Sequence, residues 1–309
     1  MPSATPRLFQ NGRIASADSK DLLASDVLVD ETGTIVAIGP GLTAPADAEL
    51  IDCGGGVLVP GMFDVHVHAR EPGQEHKETL ATCSAAALRG GVTGVVLMPD
   101  TSPPVDTGNL VKSARDLIAE LSAIPMLQAG CLTKGREGKE MAGFSGMASR
   151  GVPMLTDADR AVPCPDLLRR CMEYARDFDL LVTSHCDTPA LSKAGAINEG
   201  RVSYRFGLPG IPAISQEIAI DRDIRVAQHT GAKLHLQQIS TARGLQSVQC
   251  AKEAGTSVTC EVSPHHLVLT ETGHPRLQHA LQMPSAAASL PPTITRRSWP
   301  GLIEGSDRS

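Results

Sequence analysis

The sequence predicts an α/β fold, an incomplete TIM-type (β/α) barrel with a small N-terminal β unit, on three observations. Short apolar segments at 57–66, 92–98, 124–130, 152–156, 180–185, 233–239 and 257–263 read as strands. Helical runs separate them, among them Lys77–Arg89, Thr107–Leu121, Asp166–Arg176, Gln216–His229 and Ala242–Ala254. Polar and ionisable residues gather where the strands end, at His66, Asp100, Asp157, His185, Gln238 and His265. Barrel enzymes place their chemistry at that end. A doubly wound sheet is the main competitor, but no Gly-x-Gly-x-x-Gly follows the first strand.

Residues 1–55 are expected to form the small β unit. Asp26-Val27-Leu28-Val29 and Thr34-Ile35-Val36-Ala37-Ile38 alternate between Asp30, Gly33, Gly39 and Pro40, which punctuate turns. The barrel is expected over 56–271, lacking its last strand. Residues 272–309 carry no clear periodicity and read as an irregular tail, a truncated or frame-shifted end.

Composition narrows the function classes. The 309 residues are 41% apolar and 20% charged, ordinary for a globular chain, and only 3% are aromatic, so the core is built of Ala, Val, Leu and Ile. A net charge of -6 without a basic run gives no reason to expect nucleic acid. No segment approaches about 18 continuous apolar residues, so neither a membrane span nor a secretory leader is expected and the chain reads as cytoplasmic. Eight scattered cysteines without a Cys-x-x-Cys pair read as small buried hydrophobes of a reducing compartment.

The sharpest chemical signal is Asp64-Val65-His66-Val67-His68-Ala69-Arg70, closing the first barrel strand. Side chains at i, i+2 and i+4 of a strand share a face, so His66, His68 and Arg70 are expected to point together at the barrel mouth. Two imidazoles there make half of a divalent metal site, and a guanidinium beside them can clamp a carboxylate.

The stretch from Val59 to Gly73, VPGMFDVHVHAREPG, resembles the signature of dihydroorotases of the amidohydrolase superfamily. Met98-Pro99-Asp100-Thr101, Leu132-Thr133-Lys134-Gly135, Ser184-His185-Cys186, Ile197-Asn198-Glu199-Gly200 and Glu261-Val262-Ser263-Pro264-His265-His266 continue the resemblance over roughly 50–271, with allantoinases and hydantoinases as cousins. The resemblance implies a zinc-dependent hydrolase, with one or two ions, that interconverts N-carbamoyl-aspartate and dihydroorotate in pyrimidine synthesis. It assigns His66 and His68 to one metal and His185 to the second. It sets Arg70, assisted by Asp100, on the substrate carboxylate. His235 is expected to stand behind the ligands. The expected partners are the small-molecule substrate and either a further copy of the chain or a carbamoyltransferase-type enzyme.

Four positions depart from the resemblance. Ala158, between Asp157 and Asp159, stands where an aspartate bridges the metals, and Gln238 stands where a histidine binds. Asp100 replaces an asparagine, and the last-strand motif with its proton-shuttling aspartate is missing. These departures give the alternative reading, a non-catalytic dihydroorotase-like structural partner.

Overall fold

The structure is a computed structural model that describes residues 5–15, 20–193 and 195–268. The expected tail, 272–309, lies outside them. Contacts divide the chain into two compact units, with the boundary along the sequence between Met62 and Phe63.

In the first unit, strands β1 (Arg7–Ile14), β2 (Leu23–Val29), β3 (Ile35–Gly39) and β4 (Glu49–Asp52) pair in the order β3-β2-β1-β4. β1 runs antiparallel to β2 and parallel to β4, with Leu8 opposite both Leu28 and Leu50. A register shift falls between Phe9 and Gly12, where Asn11 has φ 56. The short β5 (Val57–Leu58) pairs with β1 through Arg13↔Val57 and Ile14↔Leu58. The segment 57–66, expected as one strand, is therefore two. Pro60 and Gly61 interrupt it, proline because it has no N–H to give a ladder.

The second unit alternates strand and helix. Its strands are β6 (Met62–Val67), β7 (Val92–Leu97), β8 (Met126–Gln128), β9 (Met154–Leu155) and β10 (Leu181–His185). A small parallel pair follows, β11 (Ile197–Asn198) with β12 (Gly210–Ile211), then β13 (Leu234–Gln237) and β14 (Val258–Cys260). The helices are α1 (Leu80–Arg89), α2 (Gly108–Leu121), α3 (Phe144–Ala148), α4 (Pro165–Asp177), α5 (Pro189–Ser192), α6 (Arg201–Phe206), α7 (Ile214–Thr230), α8 (Ala242–Glu253) and α9 (Pro264–Val268).

β6, β7 and β8 lie side by side, as do β9, β10, β13 and β14, and a bridge between Gly130 and Leu155 joins the two sets. The pairs β7–β8, β9–β10, β10–β13 and β13–β14 are parallel. The described residues thus contain seven barrel strands in chain order, the number expected. Side chains beyond the two ends of this series meet, Glu261 after β14 touching His66 on β6, so the sheet curls almost fully round.

Each element follows from local chemistry. Thr79, Thr107 and Thr241 cap α1, α2 and α8 by accepting the backbone N–H three residues on. Gly231, at φ 69, ends α7 in the left-handed conformation that costs glycine nothing. Leu155, Leu168, Met172, Val182, Leu234 and Leu236 bury the contact of β9, β10 and β13 with the helices outside. Val96, Met98, Ala129 and Met154 pack as a separate apolar cluster with Ala158. Both faces of β7 are covered, which is why it reads as a nearly continuous apolar run rather than an alternation.

Candidate active site and metal centre

The chemistry-bearing side chains sit at or just beyond the C-terminal ends of the barrel strands. His66 lies on β6 and His68 just past it, with ring centroids 5.2 Å apart. Both rings turn Nδ1 to a carboxylate. His66 meets Glu261 Oε1 in a short hydrogen bond, and His68 meets Asp100 Oδ2 at 2.8 Å. Ionised carboxylates only accept, so Nδ1–H is the donor in each pair and Nε2 keeps its lone pair. The Nε2 of His66 is buried with no partner. Anchoring one ring nitrogen on a carboxylate is how proteins aim the other at a metal.

Glu261 follows β14, and the sequence alone assigns it no role. Its Oε2 lies 3.1 Å from His235 Nε2, whose Nδ1 is 2.8 Å from Thr259 Oγ1. Burial pushes the Glu261 carboxyl up, but hydrogen bonds from His235 and His66 outweigh it and hold the group at about 2. The legible signal was an acidic residue directly after a short apolar strand; its meeting with a residue 195 positions away was not legible.

Arg70 reaches the site by a different route from strand alternation. β6 ends at Val67 and Arg70 has φ 65, so the backbone turns before residue 70. Its Nη1 donates to Asp100 Oδ2 at 2.7 Å, the same oxygen that His68 engages. Asp100 follows β7 and is 5% exposed, and its Oδ1 is buried without a partner. Burial pulls this carboxyl up, but the His68 hydrogen bond and the charges of His68, Arg70 and Arg136 more than offset it, leaving it below the usual carboxylate range.

His185 ends β10, and its Nδ1 is also buried and unpartnered. Burial lowers its basicity, Asp187 and Asp159 oppose that, and the charges of His66 and His68 add to the lowering. Among the described residues, no group of three or more His, Cys, Asp and Glu side chains stands arranged to hold a metal ion. A cavity of about 370 Å³ opens beside His185, lined by Asn198, Gln216, Gln238, Ser240 and His266 among others.

The carboxylates flanking Ala158 are both engaged elsewhere. Asp157 accepts from the backbone N–H groups of Leu132 and Thr133, at 3.0 and 2.9 Å, and from the Thr133 hydroxyl. Asp159 pairs with Arg136. Ala158 itself is fully buried at φ 53. Gln238 also takes a left-handed φ, 53, and its carbonyl accepts from Gln216 Nε2 at 3.0 Å. Lys134 is exposed and ion-paired with Glu140 at 2.5 Å.

Comparison with known proteins decides the family. The model of the dihydro-orotase-like family matches residues 55–244. This chain belongs to that family. A dihydroorotase of Carboxydothermus hydrogenoformans is 43% identical over 266 residues, covering 85% of this chain and 61% of that protein. One of a Thermoanaerobacter species is 35% identical over 298 residues, covering 96% of this chain and 67% of the relative. Among solved structures, L-hydantoinase (dihydropyrimidinase) from Arthrobacter aurescens superposes with a TM-score of 0.73 at 21% identity, over 86% of this chain and 60% of that one. Dihydropyrimidinase from Brevibacillus agri gives 0.70 at 22% identity, over 92% and 61%. At such identities the two establish the fold alone, a (β/α) barrel. The dihydro-orotase-like chain spans 61%, 62% and 61% of the length of three curated relatives it matches. Among its described residues no helix is long and apolar enough to cross a membrane.

Proposed function

We propose that this chain acts as a dihydroorotase-type hydrolase of cyclic amides, interconverting N-carbamoyl-aspartate and dihydroorotate, with a divalent metal, zinc, held by His66, His68 and His185. One observation carries the reading: two neighbouring imidazoles each anchored by Nδ1 on a carboxylate, half-buried Glu261 and buried Asp100, with Nε2 left for a ligand.

The donors suit at most one ion, and the three imidazoles would have to draw together around it, since they do not stand gathered as a ready cluster. Unpartnered nitrogens on His66 and His185 are what a metal would satisfy. A methyl group at Ala158 cannot bridge a second ion, and the neighbouring carboxylates are already hydrogen-bonded or paired. The neutral amide of Gln238 is a poorer zinc donor than imidazole. When bound, zinc supplies a polarised carbonyl and a water whose pKa falls from 15.7 to about 7.

The remaining tasks belong to the chain's own groups. Glu261 fixes the tautomer and direction of His66, and Asp100 does so for His68. Arg70 presents a guanidinium where the carboxylate of the ring would lie. The cavity beside His185 offers a ring amide the side-chain amide of Asn198, whose Nδ2 is buried without a partner. A cytoplasmic location agrees with eight free cysteines.

The second reading, a barrel that serves as structural partner of a carbamoyltransferase-type enzyme, is favoured by Ala158 and Gln238. Metal analysis of the purified chain together with a dihydroorotate hydrolysis assay separates the two. Tight zinc near one equivalent with turnover abolished by a chelator is expected. Protein that neither takes up zinc nor turns over dihydroorotate would leave the structural reading standing.

A further inference from the structure

The first turn of α7 is tied to the exits of two neighbouring strands. β10 and β13 run parallel, with His185 opposite Gln237. Ser215 Oγ donates to Asp187 Oδ1 at 2.6 Å and accepts the Thr188 N–H at 3.3 Å, which holds the exit of β10. Gln216, the next residue, holds the exit of β13. Its Nε2 donates to the Gln238 carbonyl at 3.0 Å, and its Oε1 accepts the Ser240 N–H at 2.8 Å and the Ser240 hydroxyl at 3.2 Å. A single side-chain amide thus brackets the turn from Gln238 to Ser240. That turn needs a bracket, because Gln238 stands at φ 53, a conformation that residues other than glycine rarely adopt and that lasts only where the surroundings hold it. On its other side the Ile239 N–H donates to the Glu261 carbonyl at 2.9 Å, and the Ile239 side chain is wholly buried. Gln216, Gln238 and Ser240 all line the cavity beside His185. Both polar atoms of the Gln216 amide are already engaged by the backbone, so it shapes that wall instead of offering it to a ligand.

We propose that Gln216 is a positioning residue: its amide locks the left-handed turn at Gln238 and thereby fixes one wall of the cavity that His185 also lines. The inference rests on the cyclic-amide reading above and deepens it, since a preformed wall spares a ring the cost of ordering the turn as it binds.

The test joins hydrogen exchange of the full chain, resolved to single residues by mass spectrometry, to calorimetric binding of dihydrouracil and dihydroorotate. Gln216→Met keeps the length of the side chain and removes both hydrogen-bonding atoms, whereas Gln216→Glu keeps an acceptor for Ser240 and loses the donor to Gln238. In Gln216→Met the Ser240 amide is expected to exchange about 10-fold or more faster than in wild type, while the amides of β10 and β13 keep their rates. Both rings are expected to bind that variant about 10-fold more weakly. Gln216→Glu is expected to return Ser240 exchange to within about 3-fold of wild type. A wild-type Ser240 amide that exchanges like an unstructured peptide overturns the inference without any variant. So does Gln216→Met with Ser240 exchange unchanged, with exchange raised equally throughout β10 and β13, or with faster Ser240 exchange but unchanged ring affinity. A wild type that binds neither ring fells the cyclic-amide reading and the inference with it, and the exchange rates distinguish that failure from the absence of the clamp.

Discussion

The two imidazoles at the end of the first barrel strand acquire their direction from residues far away in sequence, Glu261 for His66 and Asp100 for His68. Glu261→Gln removes the charge that fixes the His66 tautomer while keeping the shape. Zinc affinity is expected to drop about 10- to 100-fold, read by competition with a chromophoric chelator. An unchanged affinity would mean that His66 is not a ligand. Asp157 behaves differently. Burial raises its carboxyl above the ordinary value, and hydrogen bonds from Thr133 and Leu132 and the Arg136 charge only partly offset this. A raised folded-state value means that the folded chain still binds the proton over a range where the unfolded chain has lost it. Stability therefore falls as pH rises from the ordinary carboxylate value through the raised one, and levels above it. The stability difference between wild type and Asp157→Asn should shrink across that window in urea denaturation at stepped pH. A difference that grows with pH would show that the two backbone donors dominate over burial.

At the scale of elements, caps decide where helices begin. Thr107 accepts from Leu110 N and starts α2, whose Val111, Ala114 and Ile118 are buried. Thr107→Ala is expected to cost about 1 kcal/mol in urea denaturation, while Thr107→Ser should be close to neutral. Equal losses for both variants would point to the methyl group instead of the hydroxyl. Helix α2 was legible from its period, 107–121 against the observed Gly108–Leu121, because its apolar stripe repeats at helical spacing. Strands β8 and β9 came out shorter than their apolar runs, at 126–128 and 154–155, although Pro125, Ala129, Gly130 and Thr156 beside them still join neighbouring strands by backbone hydrogen bonds. The small pieces, α3, α5, α6, α9 and the β11–β12 pair, gave no periodic signal at all. Elements of two to six residues complete neither a helical face nor a strand alternation.

For the molecule as a whole, core and surface sort the cysteines. Cys83, Cys131, Cys171 and Cys186 are buried, and Cys164 and Cys250 are exposed. Burial pushes Cys171 up to about 12, with the Asp157 charge adding to it, and carries Cys131 and Cys186 upward as well. Thiolate is the reactive form, so native protein at neutral pH should alkylate first at Cys164 and Cys250, followed by mass spectrometry of peptides. Fast labelling of Cys171 or Cys186 would mean that the face of the barrel between α4 and β10 opens readily.

The chain's sequence determined the class of fold, the order of its seven barrel strands, and which residue types reach the mouth. Those follow from periodicity and from strand ends, both local along the chain. The placement of His66, His68, Asp100 and His185 at or just after strand ends was legible for that reason, whereas Arg70 arrives by a backbone turn that alternation does not record. Tertiary structure alone decided who touches whom. That Arg70 turns out of the strand to share one oxygen of Asp100 with His68, and that Glu261 reaches His66, depends on how the sheet curls. So does the engagement of Asp157 by residues 132–133. Curling brings residues tens to hundreds of positions apart within hydrogen-bond range, and spacing along a sequence carries no record of that distance.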